Sequence, residues 1–165
     1  MSFGSRDLPK LYRDFGATEN FILNPAVRHP TGSCIEERGC DYEKVTLCAF
    51  EGATPNQQVN FLVCMDEERE KALPAAKGCA SLQGLDADKV AKCFASSHAD
   101  DLLAEASKVF NKQFPSAATV PHLFINAKDT RASYNALKEQ LCADGSKATV
   151  CSGEKATVEE ATCVV

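Results

Sequence analysis

Nine cysteines in 165 residues constrain this chain more than any other feature. Cys34, Cys40 and Cys48 fall within one connecting segment, and Cys64 belongs to the amphipathic helix that follows. Covalent ties at these positions would fix a helical region against what flanks it, which predicts a disulfide frame. Structural zinc competes for the same residues. Such sites favour paired thiolates two to four residues apart, and no two cysteines here are that close, so the reading is disulfides and no metal. The disulfide candidates are Cys34, Cys40, Cys48, Cys64, Cys79, Cys93, Cys142, Cys151 and Cys163. Their pairing is open, and an odd total leaves one thiol free or joined to another molecule.

So many cysteines in a chain of this length suit an oxidising compartment, an organelle lumen or the outside of the cell, and disfavour the cytosol. The sequence opens on a polar segment with no signal peptide, so a removed leader is expected to account for delivery. A hydrophobic content of 44% supports one sizeable core and a single domain. The formal charge of -5, with lysines and arginines dispersed, excludes a nucleic-acid footprint. No apolar run approaches the ~20 residues of a membrane span. No Asn-x-Ser/Thr acceptor occurs.

Helical spacing of Leu8, Leu11, Tyr12 and Phe15 predicts a first helix over residues 7–15, with Pro9 tolerable only near its start. Phe21, Ile22 and Leu23, stopped by Pro25, read as a short buried strand. Helices are expected over 41–50, over 56–70 with a stripe of Val59, Leu62, Val63 and Met65, and over 73–82. Another should start at the capping residue Asp86, with Val90, Cys93 and Phe94 on one face. Ser97-His98-Ala99-Asp100 has the form of a capping box, opening a helix with Leu102, Leu103, Ala106, Val109 and Phe110 inward. Residues 119–126 read as a second strand around Leu123, Phe124 and Ile125, and 127–130 as a turn. Ser133 should cap a helix through Tyr134, Leu137 and Leu141. The tail should be pinned by Cys151 and Cys163 more than by burial.

The spacing of the cysteines, with Val63-Cys64-Met65-Asp66-Glu67-Glu68, Leu73-Pro74 before Cys79, Lys92-Cys93, Val120-Pro121, Ile125-Asn126, Leu141-Cys142 and Val150-Cys151, resembles the gamma-interferon-inducible lysosomal thiol reductase (GILT) family. The likeness runs from about Leu11 to the last cysteine. It implies an α/β (α+β) fold, a thioredoxin-like sheet with a disulfide-braced helical insertion. On that reading 1–165 is one GILT-like domain. Its thioredoxin-like parts are about 6–33 and 115–143, its helical insertion about 34–114, and its cysteine-tied tail 144–165. Members of the family reduce substrate disulfides in an acidic endosomal or lysosomal lumen with a Cys-x-x-Cys pair. By the same likeness Pro121 is the cis-proline that faces the pair, and a cis X-Pro bond costs only about 0.5 to 1 kcal/mol over trans.

The chain departs from the family twice. Where the family has Cys-Gln-His-Gly it has Cys34-Ile35-Glu36-Glu37, and an expected Asn is replaced near Glu43. More seriously, it holds no Cys-x-x-Cys, and the family pair would fall at or just before Met1, with Phe3 nearest the slot of the second cysteine. Exchange needs a thiolate with a depressed pKa and a second thiol close by to release the mixed disulfide. No catalytic residue is assigned, and no cofactor. The central first strand is missing too, which would leave backbone groups of its neighbours unpaired unless another chain supplies it or the sheet is rearranged.

The expected function is therefore a GILT-like, non-catalytic binding or structural subunit in an oxidising lumen, with a protein partner that supplies the strand or pairs with the odd cysteine. The alternatives are a disulfide reductase whose Cys-x-x-Cys lies outside this sequence, and a small secreted disulfide-rich helical binding protein. His29, His98 and His122 are scattered, and surface or capping work is their usual fate. The acidic runs Asp66-Glu67-Glu68 and Asp100-Asp101 read as a solvated face and as charges that favour a helix N-terminus.

Overall fold

The structure, a computed structural model, describes residues 3–25, 27, 40–68, 71–114 and 123–152. Among these are eight helices and one two-stranded antiparallel sheet. No described helix is long and apolar enough to cross a membrane. The chain divides into two compact units, one spanning Ile22–Pro121 and the other joining Met1–Phe21 to His122–Val165.

The unit formed by the central stretch is helical. Its helices are α2 (Asp41–Phe50), α3 (Pro55–Glu67), α4 (Ala72–Leu82), α5 (Ala87–Phe94) and α6 (Ser97–Gln113). Sequence chemistry sets several of their starts. Thr54 and Gln57 close a full capping box ahead of α3, each side chain bonding the other residue's backbone N–H, with Pro55 in the first turn, where its missing N–H costs nothing. Asp86 Oδ1 accepts from the backbone N–H of Asp88 and Lys89, as its capping role predicts. The capping box read at Ser97 is not formed. Ser96 holds the cap position of α6, and its hydroxyl turns back to donate to the Cys93 carbonyl at 2.8 Å, so it is not available to the next helix.

Helix α2 touches all four other helices of its unit. It accordingly buries residues all round, from Glu43 and Val45 through Thr46, Cys48 and Ala49. Against it packs a core of small residues, Ala72, Ala75, Ala76, Cys79 and Ala80 from α4 and Ala99 from α6, with Phe61 as the large side chain among them. Two faces differ from their sequence reading. Phe61 is fully buried on α3 while Leu62 and Val63 are half-buried. On α6 the buried line is Ala99, Leu103, Ser107 and Phe110, and Val109 stands 48% exposed. A buried serine hid that stripe from a search for apolar positions. Ser107 is satisfied there by Asn111, whose Nδ2 donates to it at 3.1 Å.

The other unit contains α1 (Phe3–Phe15), β1 (Leu123–Ile125), β2 (Lys128–Thr130), α7 (Tyr134–Ala143) and α8 (Thr149–Ser152). Helix α1 starts earlier than its pattern suggests, so Pro9 lies inside it. Pro9 gives up one backbone hydrogen bond, a cost outweighed here by burying Leu8, Leu11 and Phe15. Residues 21–23 are not a strand. Strand structure needs a partner, and β1 takes β2. Phe21 instead sets its ring edge-on against Tyr12, centroids 5.2 Å apart, and Ile22 is 76% exposed. The stretch read as a turn from Ala127 onward is a hairpin: Asn126 and Ala127 make the bend, and Lys128–Thr130 returns as β2, Ile125 opposite Lys128. Ser133 caps α7, its Oγ accepting from Ala136 N. Helix α7 then packs on α1 and on both strands, burying Leu11, Phe15, Ile125, Tyr134 and Leu137 together.

Candidate functional site

All seven described cysteines, Cys40, Cys48, Cys64, Cys79, Cys93, Cys142 and Cys151, are disulfide-bonded. Three bonds are Cys48–Cys93, Cys64–Cys79 and Cys142–Cys151, and each lies within one unit. The first staples α2 to α5, the second α3 to α4, and the third ties α8 to the end of α7. Cys40 stands at the N-cap of α2 in the left-handed region and is buried. Cys34, Cys163, His29, His122 and the candidate cis-proline Pro121 lie outside the described residues. Exchange needs an accessible thiolate, whereas Cys48 and Cys79 are almost wholly covered and every described cysteine is already bonded.

The sequence brought no titratable cluster to notice, because its members sit on different elements. Glu51 closes α2, Cys93 lies near the end of α5, and His98 lies in the first turn of α6. The hairpin-like path from α5 into α6 swings His98 back over the end of α2, where its Nε2 donates to Glu51 Oε1 at 2.8 Å. Ligand atoms of Glu51, Cys93 and His98 all lie within 4.8 Å of one another. A similar group joins Cys64, Glu68 and Cys79. In both, two of the sulfurs nearby are bonded to each other, so the donors free to act in the oxidised chain are the carboxylate and, in the first, the imidazole.

Other charges serve the fold. Lys44 of α2 pairs with Asp100 of α6, so Asp100 binds a neighbouring helix besides standing in the first turn of its own. Asp66, Glu67 and Glu68 are exposed, the solvated face expected of them. Glu43, where the family likeness places a departure, is buried in the first turn of α2, where the helix dipole favours a carboxylate. In the other unit the Tyr134 hydroxyl donates to Asp14 Oδ2 at 2.7 Å. That bond holds the Asp14 carboxyl below its ordinary value of 3.8, aided by Arg13 and Lys10 and opposed by partial burial. Lys10 Nζ also lies 3.7 Å from the centre of the Tyr134 ring. Ser146 Oγ donates to Glu19 Oε1, fastening the segment after α7 to the end of the first helical stretch.

Neither a scan against protein-family models nor a search of curated proteins finds a match for this chain.

Proposed function

We propose that this chain is a non-catalytic, disulfide-braced binding or structural subunit of GILT-like, thioredoxin-related design, working in an oxidising lumen. The observation that carries the reading is that every described cysteine is bonded to another, in a sequence without a Cys-x-x-Cys. A second support is the order hairpin then helix, β1, β2 and α7 with α1 laid on α7, which suits the C-terminal half of a thioredoxin-like domain. Disulfides of this number favour an oxidising environment. The predominance of helices gives some weight to a second reading, a secreted helical binding protein unrelated to thioredoxins.

Insulin reduction at acidic pH tests the proposal. The purified 165-residue chain, supplied with excess dithiol, is expected to precipitate insulin no faster than the dithiol alone. A mixed disulfide trapped between this chain and insulin, together with turnover under reductant, would overturn it in favour of a reductase. Mass and N-terminal sequencing of the natural protein address the reductase alternative separately, since that reading requires a Cys-x-x-Cys upstream of Ser5.

A further inference from the structure

The Cys48–Cys93 disulfide has two companions. Glu51 follows Cys48 on the same helix end, and His98 follows Cys93 across the short connection to α6. Because the Cys48 sulfur is bonded to that of Cys93, the cluster around Glu51, Cys93 and His98 brings together two sulfurs, one imidazole nitrogen and one carboxylate oxygen. The three helices α2, α5 and α6 that carry these groups pack on one another, so the donors converge by virtue of the fold.

The geometry points to a latent zinc site made of Cys48, Cys93, His98 and Glu51, closed in the oxidised chain by the disulfide and opened by a dithiol reductant. Zinc bonds to sulfur at about 2.3 Å and to nitrogen or oxygen at about 2.0–2.2 Å in a tetrahedron, which sets the donors roughly 3.3–3.8 Å apart. The donor atoms of Glu51, Cys93 and His98 lie within 4.8 Å of one another, and the Cys48 sulfur, held to that of Cys93 by their bond, is the fourth donor, which swings toward the other two once the bond is cut. Two thiolates, an imidazole and a carboxylate form a mixed set that suits zinc better than calcium or magnesium, which take oxygen ligands.

The chemistry balances. The dithiol gives two electrons and two protons to the sulfur–sulfur bond and leaves as its own cyclic disulfide, and Cys48 and Cys93 become thiols. Zinc then displaces one proton from each thiol and binds both thiolates, with the imidazole and the carboxylate completing the tetrahedron. Side-chain exposures of 52% for His98 and 35% for Glu51 give the ion a path from solvent. Oxidised, the same two residues only hydrogen-bond each other, and neither sulfur carries the charge a metal needs.

Cobalt(II) is the probe, since its visible spectrum reports thiolate ligation and tetrahedral geometry. The full chain is reduced with a dithiol, freed of it under nitrogen at neutral pH, and titrated with cobalt and then with zinc. The expected result is a sulfur-to-cobalt absorption band in the reduced chain, absent from the oxidised chain and abolished by zinc. His98→Ala and Glu51→Gln should each weaken metal binding by about tenfold or more, as loss of a ligand costs at least as much as loss of its supporting contacts. Both positions are at the surface, so these variants test the site without removing core packing. The double variant Cys64→Ser/Cys79→Ser removes the sulfurs of the other cluster and should leave the band in place. A reduced chain that binds no cobalt, or binds it as tightly with His98→Ala and Glu51→Gln, overturns the proposal.

Discussion

The two units close their cores by different means. In the helical unit the facing surfaces are mostly alanine and cysteine, which let α2, α4 and α5 come close but bury little apolar area per residue. Sulfur bonds between helices compensate, one from α2 to α5 and one from α3 to α4. In the other unit Leu11, Phe15, Tyr134 and Leu137 interlock, and each such side chain contributes about 1.5–3 kcal/mol by burial. Its one described disulfide closes a short loop, Cys142 to Cys151. Where the facing side chains are small, covalent restraint supplements the packing; where they are large, their own burial carries more of the load.

That contrast is most exposed to failure at the disulfides. A cross-link removes more entropy from the unfolded chain the longer the loop it closes. With a sequence separation of 45, Cys48→Ala/Cys93→Ala should cost about 4 kcal/mol. With a separation of 15, Cys64→Ala/Cys79→Ala should cost about 3 kcal/mol. Cys142→Ala/Cys151→Ala, with a separation of 9, should cost about 2.5 kcal/mol. Amide hydrogen exchange read on peptides from each unit measures the effect where it occurs. A larger loss from the Cys142–Cys151 pair than from Cys48–Cys93 would reverse the contrast.

The unit with large side chains offers a smaller, pH-dependent test. Tyr134→Phe keeps the ring under Lys10 and removes only the hydroxyl that donates to Asp14. Asp14 keeps part of its side chain in solvent, so the expected cost near neutral pH is about 1 kcal/mol, that of an ordinary hydrogen bond and below the roughly 1.5–3 kcal/mol of a well-buried bond to a charged group. The sign follows from the depressed pKa. The folded chain binds fewer protons at Asp14 than the unfolded chain does, so the contribution is complete above the ordinary value of 3.8 and is lost as pH falls through the lower folded value. Denaturant unfolding of both proteins from neutral pH downward should show the two stabilities converging in that acid range. A gap that widens on acidification would place the bond's benefit on the protonated acid.

Residue patterns made the helices legible, because the 3.6-residue spacing of Leu8, Leu11 and Phe15, or of Val90 with Cys93 and Phe94, survives in the packing. Local capping was legible at Asp86 and Ser133 and misleading at Ser97, where a preceding carbonyl took the hydroxyl of Ser96. The run of Phe21, Ile22 and Leu23 looked like a strand because apolarity alone does not say whether a pairing edge exists. Cysteine content announced disulfides, but which sulfurs meet depends on how α2, α3, α4 and α5 pack, and no sequence spacing records that. The cluster of Glu51, Cys93 and His98 was hidden for the same reason. A search for metal ligands at short intervals looks along one element, and these donors come from three.

The smallest effect tests whether the hairpin is held against its own backbone preference. Asn126 and Ala127 both have positive φ, 49° and 65°, the left-handed pair that a tight two-residue hairpin bend requires. Asn tolerates that region, whereas Ala pays for its Cβ roughly 1–2 kcal/mol. Glycine removes that penalty but gains freedom in the unfolded chain, a loss of about 0.5–1 kcal/mol. Ala127→Gly should therefore stabilise the unit by about 0.5–1 kcal/mol, the difference of the two. Hydrogen exchange at Lys128 and Thr130 should slow, and the denaturation midpoint should rise. A fall in stability would mean that the chain's freedom outweighs the strain, and that contacts beyond the bend fix the register of Ile125 against Lys128.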